Sequence, residues 1–397
     1  MASFRRRTPV INNRPSPLAS KSSAPNIKNA TISKPSLLST TATVISTGLT
    51  SLDKFLQHGG LPLNSIILVK ESGSTDYSSR IVKSFVAQGV CQSKSIQSTH
   101  TIVVGMDPHW CSELPQVYVS SKDKKKLNVA NNESKLSVGN LSHSSQVQNQ
   151  HQHAHEHSHS HTPNQGPMKI AWRYGLNNKQ QGTSSLSGTM PENDKEYCQV
   201  FDITKKMEPM ANLNDVSTVE ISQWSEMTKK IEFILKRFPT KNVRIVMPYF
   251  LNPFFYPLLN EGNQAEIFKF LLNLKRITLS YKDQVSLMIT INSQLYANLP
   301  ILDYLQDLSD SVIEIEPHPS ELSELLERCY KSDPTRVSHG WINLEKLAGV
   351  SEYGCMVGGN KEWSFRNGRR DLAIEEWGIP VDGSEVQEEN NKASLEF

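Results

Sequence analysis

Cysteine is scarce and unpatterned. The five residues, Cys91, Cys111, Cys198, Cys329 and Cys355, are an odd number, lie far apart and contain no C-x-x-C pair. That argues against a disulfide framework and a cysteine zinc site, and for a reducing compartment. Long apolar runs are missing as well. The nearest thing to a membrane span, "VRIVMPYFLNPFFYPLL" (243–259), has 17 residues where about 20 are needed. It also carries Arg244, Asn252 and three prolines, so it reads as a buried strand followed by an aromatic loop, in a soluble protein. Acids are absent from residues 1–40, which hold seven Lys or Arg; with a total formal charge of +2, everything after them sums to −5. A mildly acidic body is no general nucleic-acid binder, and any RNA contact has to be a local basic patch. The same N-terminus lacks the apolar core of a signal peptide, and five prolines before residue 36 oppose the amphipathic helix of a transit peptide. A flexible basic arm is expected there, in a protein of the cytoplasm, with the nucleus left open as a second compartment.

What is present is one interrupted α/β domain among low-complexity segments. The expected divisions are a disordered basic arm (1–43), the first half of the domain (44–119), an insertion with a histidine tract (120–166), the remainder (167–380, with 177–195 flexible) and an acidic tail (381–397). Strand-like runs are "SIILV" (65–69), "TIVVGM" (101–106), "VRIVM" (243–247), "VSLMITI" (285–291) and "SVIEIE" (311–316). The first four are continuous and β-branched, as in strands covered on both faces. Helical patterns lie between them, at Ser79–Gln88 closed by Gly89, at Gln223–Phe238 and at Gln264–Ser280. Strand alternating with helix predicts right-handed crossovers and a mostly parallel sheet flanked by helices. Ser320 is expected to cap a further helix with Leu322, Leu325, Leu326 and Cys329 inward, stopping before Asp333-Pro334. "HGWINLEKL" and "EWSFRNGRRDLAIEEW" alternate at period two and predict an antiparallel extension at one sheet edge.

The stretch "GGLPLNSIILVKESGSTDYSSRIVKSFVAQG" (59–89) has the layout of a phosphate-binding unit: strand, small-residue loop, amphipathic helix. Such a loop needs glycines that let backbone N–H groups point inward, a lysine for the β- and γ-phosphates and a Ser or Thr for magnesium. Registered on that template, Glu71-Ser72-Gly73-Ser74-Thr75-Asp76-Tyr77-Ser78 keeps only Ser78. Tyr77 stands in place of the lysine, Asp76 in place of the second glycine, and Glu71 adds another carboxylate. No Gly-Lys pair occurs anywhere in the 397 residues. The strand that would end in a magnesium-binding acid, "VRIVM", runs instead into Pro248 and Tyr249. No nucleotide cofactor, catalytic residue or metal site is therefore expected of the isolated chain.

The residues leading into this unit, Thr47-Gly48, Leu52-Asp53 and Gly59-Gly60-Leu61-Pro62, resemble the approach to the first core strand of RecA-like and KaiC-like ATPases. A RecA-like body with an emptied loop closely resembles the family of fourth subunits of the Elongator complex. "SELPQVY" (112–118), "MKIAWRY" (168–174), "FDIT" (201–204), "VRIVMP" (243–248), "ERCYKS" (327–332) and above all "EWSFRNGRRDLAIEEWGIPVD" (362–382) carry that resemblance. It implies a RecA-like fold and a ring in which this subunit alternates with the fifth and sixth Elongator subunits. It also implies that the heterohexamer assists the catalytic Elongator subcomplex, which modifies wobble uridine (U34) in tRNA to 5-carboxymethyl-type derivatives, by binding and releasing tRNA. The catalytic centre lies in another subunit, and ATP would enter only at a site shared across a ring interface.

RecA-like rings contact nucleic acid through loops after the central strands, here Tyr249–Gln264 and Asn292–Leu299. The first is aromatic (Tyr249, Phe250, Phe254, Phe255, Tyr256) but holds no Lys or Arg, which favours subunit packing over base stacking. Basic tRNA-contact candidates are Lys124, Lys125 and Lys126, Lys169 with Arg173, and Arg366, Arg369 and Arg370. The first trio also suits a solvated loop, and "RNGRR" suits a hairpin turn or a carboxylate contact as well as a phosphate. Six alternating histidines in "HQHAHEHSHSH" (151–161) would retain zinc or nickel in vitro, yet lack the separated ligand pairs of a structural site. Two alternatives stay open at this level: an active RecA- or KaiC-like ATPase acting on nucleic acid, and a histidine-rich metal buffer.

Overall fold

The computed structural model describes residues 32–39, 41–121, 125, 197–256, 264–349 and 362–378. The chain divides into two compact units, residues 1–117 with 193–397, and residues 118–192. The elements named below lie in the first. Its strands are β1 (Ser33–Pro35), β2 (Thr43–Ile45), β3 (Leu61–Pro62), β4 (Ile66–Glu71), β5 (Thr99–Val104), β6 (Pro115–Val117), β7 (Phe201–Lys206), β8 (Val216–Val219), β9 (Asn242–Met247), β10 (Val285–Asn292), β11 (Ser311–Pro317), β12 (Gly340–Lys346), β13 (Trp363–Asn367) and β14 (Leu372–Glu376). Its α-helices are α1 (Thr50–Phe55), α2 (Tyr77–Ile96), α3 (Trp224–Arg237), α4 (Gln264–Ser280), α5 (Ser293–Tyr296), α6 (Pro300–Leu308) and α7 (Ser320–Cys329).

A nine-stranded sheet runs β14-β13-β12-β11-β4-β10-β9-β5-β8. From β11 to β8 every neighbour is parallel. The predicted antiparallel extension, β12 to β14, continues beyond β11. Why the central strands read as unbroken apolar runs is visible in their packing. Successive side chains point to opposite faces, so Ile66 and Leu68 join one core with Trp224, Ile231, Phe270 and Leu274 of α3 and α4. Ile67 and Val69, one residue out of phase, join a second core with Ile81, Phe85 and Val86 of α2. The five expected strands form, within a residue or two of the expected bounds.

Five expectations are corrected. Ordered structure begins before residue 44, because β1 pairs with β2 and Ile32 is buried. Helix α2 does not close at Gly89 but continues to Ile96, ending in left-handed Gln97 (φ 58°). Gly89 is there for close approach: a Cβ would stand 2.5 Å from the Thr101 hydroxyl and 2.8 Å from Arg244 Cδ. The cap of α7 is Pro319, with no side-chain cap bond, and of the four inward residues expected only Leu326 is buried. Leu325 is 54% exposed and Cys329 is exposed. In the aromatic loop, Phe250 and Tyr256 are neither stacking platforms nor interface residues; they are buried in the first core beside Trp224. Phe254 alone of these rings stands out, at 84% exposure. Residues 292–299, expected as a loop, hold α5.

The approach segment is fastened from below. Asp53 accepts from the Ser46 hydroxyl (2.5 Å), the Thr47 N–H (2.7 Å) and the Thr47 hydroxyl (2.6 Å). Arg244, fully buried in β9, donates to the carbonyls of Ser46 (2.8 Å) and Phe85 (3.3 Å) and to the Gln92 side chain (2.9 Å), and lies over the Phe85 ring. Gly48 (φ 83°) is required, since a Cβ there would meet the Ser84 carbonyl oxygen at 2.4 Å. This network ties the residues before β4 to α2 and β9.

Candidate functional site

Strand β4 is central, between β11 and β10, and its carboxyl end is where open α/β sheets bind ligands. It ends in Glu71; the loop 72–76 turns through Gly73 (φ 87°), and α2 begins at Tyr77. The loop is held from β10, whose Asn292 side chain donates to the Gly73 carbonyl (2.9 Å), and from Ser293, whose hydroxyl donates to the Glu71 carbonyl (3.2 Å).

The first amides of α2, those of Tyr77 and Ser78, occupy the Lys and Ser positions of a working loop. At a helix N-terminus such amides carry partial positive charge and favour an anion. Here an anion is supplied by the chain. Glu71 Oε1 accepts from the Tyr77 N–H (2.7 Å) and the Thr75 hydroxyl (2.8 Å), and Oε2 accepts from the Ser78 N–H (2.9 Å). Charge-assisted bonds of this kind contribute roughly 1.5–3 kcal/mol each. The residue that replaces the first glycine of the loop has thus turned its side chain into the nest. The sequence sets both Asp76 and Glu71 against a triphosphate; only Glu71 enters the nest, while the Asp76 side chain accepts from the Tyr249 hydroxyl (2.8 Å). Burial raises the Asp76 pKa, and the Glu71 charge raises it further. Tyr77 turns away from the nest, its ring edge-on to Phe365 of β13 (4.9 Å) and to His339 (6.1 Å).

A cavity of about 220 Å³ opens beside the loop, walled by Glu71, Ser74, Asp76, Tyr249, Thr290 and Asn292 among others, with no Lys or Arg in its lining. The residues present do not fit a magnesium triphosphate. At an effective dielectric of about 20, each carboxylate within about 4 Å of a phosphate charge opposes it by roughly 4 kcal/mol. Where a working site would place an acid after β9, the chain runs into Pro248 and Tyr249 (φ 49°), and the Tyr249 N–H donates to the Thr290 hydroxyl (2.9 Å). Among the described residues no group of His, Cys, Asp and Glu is placed to hold a metal ion.

Of the basic candidates, Arg366, Arg369 and Arg370 share the β13–β14 hairpin. Lys125 is exposed, while Lys124, Lys126, Lys169, Arg173 and the histidine tract lie outside the described residues. Arg366 reaches Glu375 across the β13–β14 hairpin (3.4 Å). Arg369 binds Asp202 of β7 with two nitrogens, each at 3.1 Å, and so serves a carboxylate of this chain; the pairing holds the Asp202 carboxyl well below the usual range. Arg370 is exposed on the same turn. Sequence reasoning missed Arg80, buried on α2, its pKa pushed down to about 10 by burial against the opposing charges of Asp371 and Asp202. It also missed the direction of Glu71. The signal was present in each case: an arginine within an otherwise apolar helix face, and an acid spaced to fold back on the first amides of that helix.

A mostly parallel sheet covered by helices, with a strand–loop–helix unit whose phosphate ligands are replaced, defines an α/β protein with a degenerate phosphate loop. The family model described as PAXNEB protein matches residues 26–396. Elongator complex protein 4 of Saccharomyces cerevisiae is 33% identical over 86% of this chain and 74% of its own length. The proteins of the same name from Schizosaccharomyces pombe and Homo sapiens are 25% and 24% identical, over 85% and 89% of this chain and 85% and 80% of their own. The chain belongs to the Elongator complex protein 4 family. Among solved structures, a KaiC-like protein of Pyrococcus horikoshii aligns with a TM-score of 0.40 and 11% identity, covering 84% of this chain and 98% of that one.

Proposed function

We propose that this chain is a non-catalytic RecA-like subunit of Elongator. It alternates with the fifth and sixth subunits in a heterohexameric ring, and the ring binds and releases tRNA for the catalytic subcomplex during wobble-uridine modification. Family membership supports the assignment to Elongator. The observation that supports a non-catalytic role is the phosphate loop, in which a tyrosine turned toward β13 replaces the lysine and a carboxylate takes up the nest amides. The strand–turn–helix is kept as a building element, and ATP enters the ring only where neighbours supply the missing groups. The proposal places the protein in the cytoplasm, with the nucleus as a second compartment. Among the described residues no helix is long and apolar enough to cross a membrane.

Co-expression with the fifth and sixth subunits tests this. The expected result is a single species at the mass of a heterohexamer that retains tRNA, whereas a chain that elutes as a monomer in the presence of both partners overturns it. Titration of the isolated chain with Mg-ATP separates the ATPase reading, which requires micromolar affinity; none is expected. Deletion of residues 151–161 separates the metal-buffer reading, because the ring should assemble and support modification without them.

A further inference from the structure

We infer that Glu71 is a resident anion: its carboxylate takes the place of a bound phosphate and keeps the loop in a ligand-occupied conformation when no nucleotide is present. Three observations meet here. The carboxylate sits on the Tyr77 and Ser78 amides, the two that a phosphate would engage at the start of a 20-residue helix. The Thr75 hydroxyl closes on the same oxygen as the Tyr77 amide, so the loop wraps its own side chain as it would wrap a ligand. The backbone around it is fixed from the neighbouring strand end, through Asn292 on Gly73 and Ser293 on Glu71. Among the described residues no other charged side chain bonds to the nest amides, and Asp76 is turned to Tyr249.

The consequence is an intramolecular competition. A group tethered six and seven residues from the amides it binds is always at high effective concentration. A free phosphate must displace it and then face two acids. The loop end of the sheet is therefore held in one conformation throughout any nucleotide cycle in neighbouring subunits, so that this subunit acts as a fixed support. This deepens the reading of the loop as a retained scaffold and rests on it.

The test uses the full chain, with pyrophosphate as the probe. Glu71→Ala should lower the thermal midpoint by several degrees and speed hydrogen exchange at the Tyr77 and Ser78 amides by at least about tenfold. Millimolar pyrophosphate should restore a substantial part of both losses, as expected for a ligand that binds only the folded state. Glu71→Gln, which keeps a carbonyl acceptor without charge, should lose less and be rescued less, and it serves if the alanine variant fails to fold. Wild type, and Glu316→Ala as an exposed charge-matched control, should not respond to pyrophosphate beyond the effect of sodium chloride at equal ionic strength. An equal response of wild type and both Glu71 variants, or unchanged amide exchange on removal of the carboxylate, overturns the inference. Failure of ring assembly with the fifth and sixth subunits would instead sink the functional assignment and leave these readouts unaffected.

Discussion

Two carboxylates in this molecule have nearly the same partners and opposite settings. Asp53, below the sheet's loop end, accepts from one amide and two hydroxyls; Glu71, at the loop, accepts from two amides and one hydroxyl. Asp53 is sealed in the protein beneath the fully buried Arg244, and burial lifts its pKa to about 6 despite those bonds. Glu71 borders a cavity of about 220 Å³ and lies on the start of a long helix. Hydrogen bonds alone therefore do not say what a buried acid is for. Position relative to the sheet end and the helix dipole separates a fastening from a stand-in for a ligand.

The largest effect should come from breaking the sealed side of this pair. Arg244→Met leaves Asp53 without its opposing charge and frees three acceptors, and should cost roughly 3–5 kcal/mol in urea denaturation. A loss below about 1 kcal/mol would mean that the network is not a fastening. Next, Gly89→Ala places a methyl against Thr101 and the Arg244 side chain and should cost about 1–3 kcal/mol by overpacking. In the Arg244→Met background that cost should shrink, since the thioether can yield.

The pH dependence sharpens the contrast. The folded pKa of Asp53, about 6, lies above its unfolded value near 3.8, so the native state binds the extra proton. Its contribution is favourable at low pH and is lost as pH rises from about 4 to about 6, on the order of 2–3 kcal/mol in all. Stability measured across that window should fall less steeply for Asp53→Asn than for wild type; parallel curves would contradict the pKa assignment. The smallest effect concerns the hairpin arginines. Arg366→Ala, which breaks an exposed pair with Glu375, should change stability by about 0.2–1 kcal/mol. Arg369→Ala, which removes two charge-assisted bonds from Asp202 and leaves it only those from Thr204, should cost more in the same denaturation series. If retention of tRNA by the ring falls for Arg366→Ala and Arg370→Ala without a matching loss of stability, the turn is a phosphate contact as well as a support.

How much of this was legible beforehand varied with the kind of evidence. The central strands were readable because both faces are covered: Ile66–Val69, Val285–Ile291 and Val243–Met247 have no solvent side on which to place polar residues. The antiparallel extension was readable because its alternation is real. Helix limits were harder. Gly89 looks like a stop in one dimension, and only the approach of Thr101 and Arg244 explains a glycine inside α2. The amphipathic spacing of α7 suggested a buried stripe, yet what packs against that stripe among the described residues covers only Leu326. In the aromatic loop, composition could not distinguish rings offered to a partner from rings folded into the core beside Trp224.

For the site itself, the loss of the phosphate ligands was decided by residue identity, because a tyrosine cannot supply a lysine's charge and an aspartate cannot leave room for an anion. Local chemistry and periodicity thus determined that a strand, a turn and a helix would form here and that the turn would not suit a triphosphate. Which of two acids would enter the nest, which arginine would be buried and which would meet a carboxylate from a distant strand were decided only by the fold. Those outcomes depend on groups brought together from far apart in the chain, such as Asp202 with Arg369 and Ser46 with Arg244, and on burial, which alone converts a charge into a strong constraint.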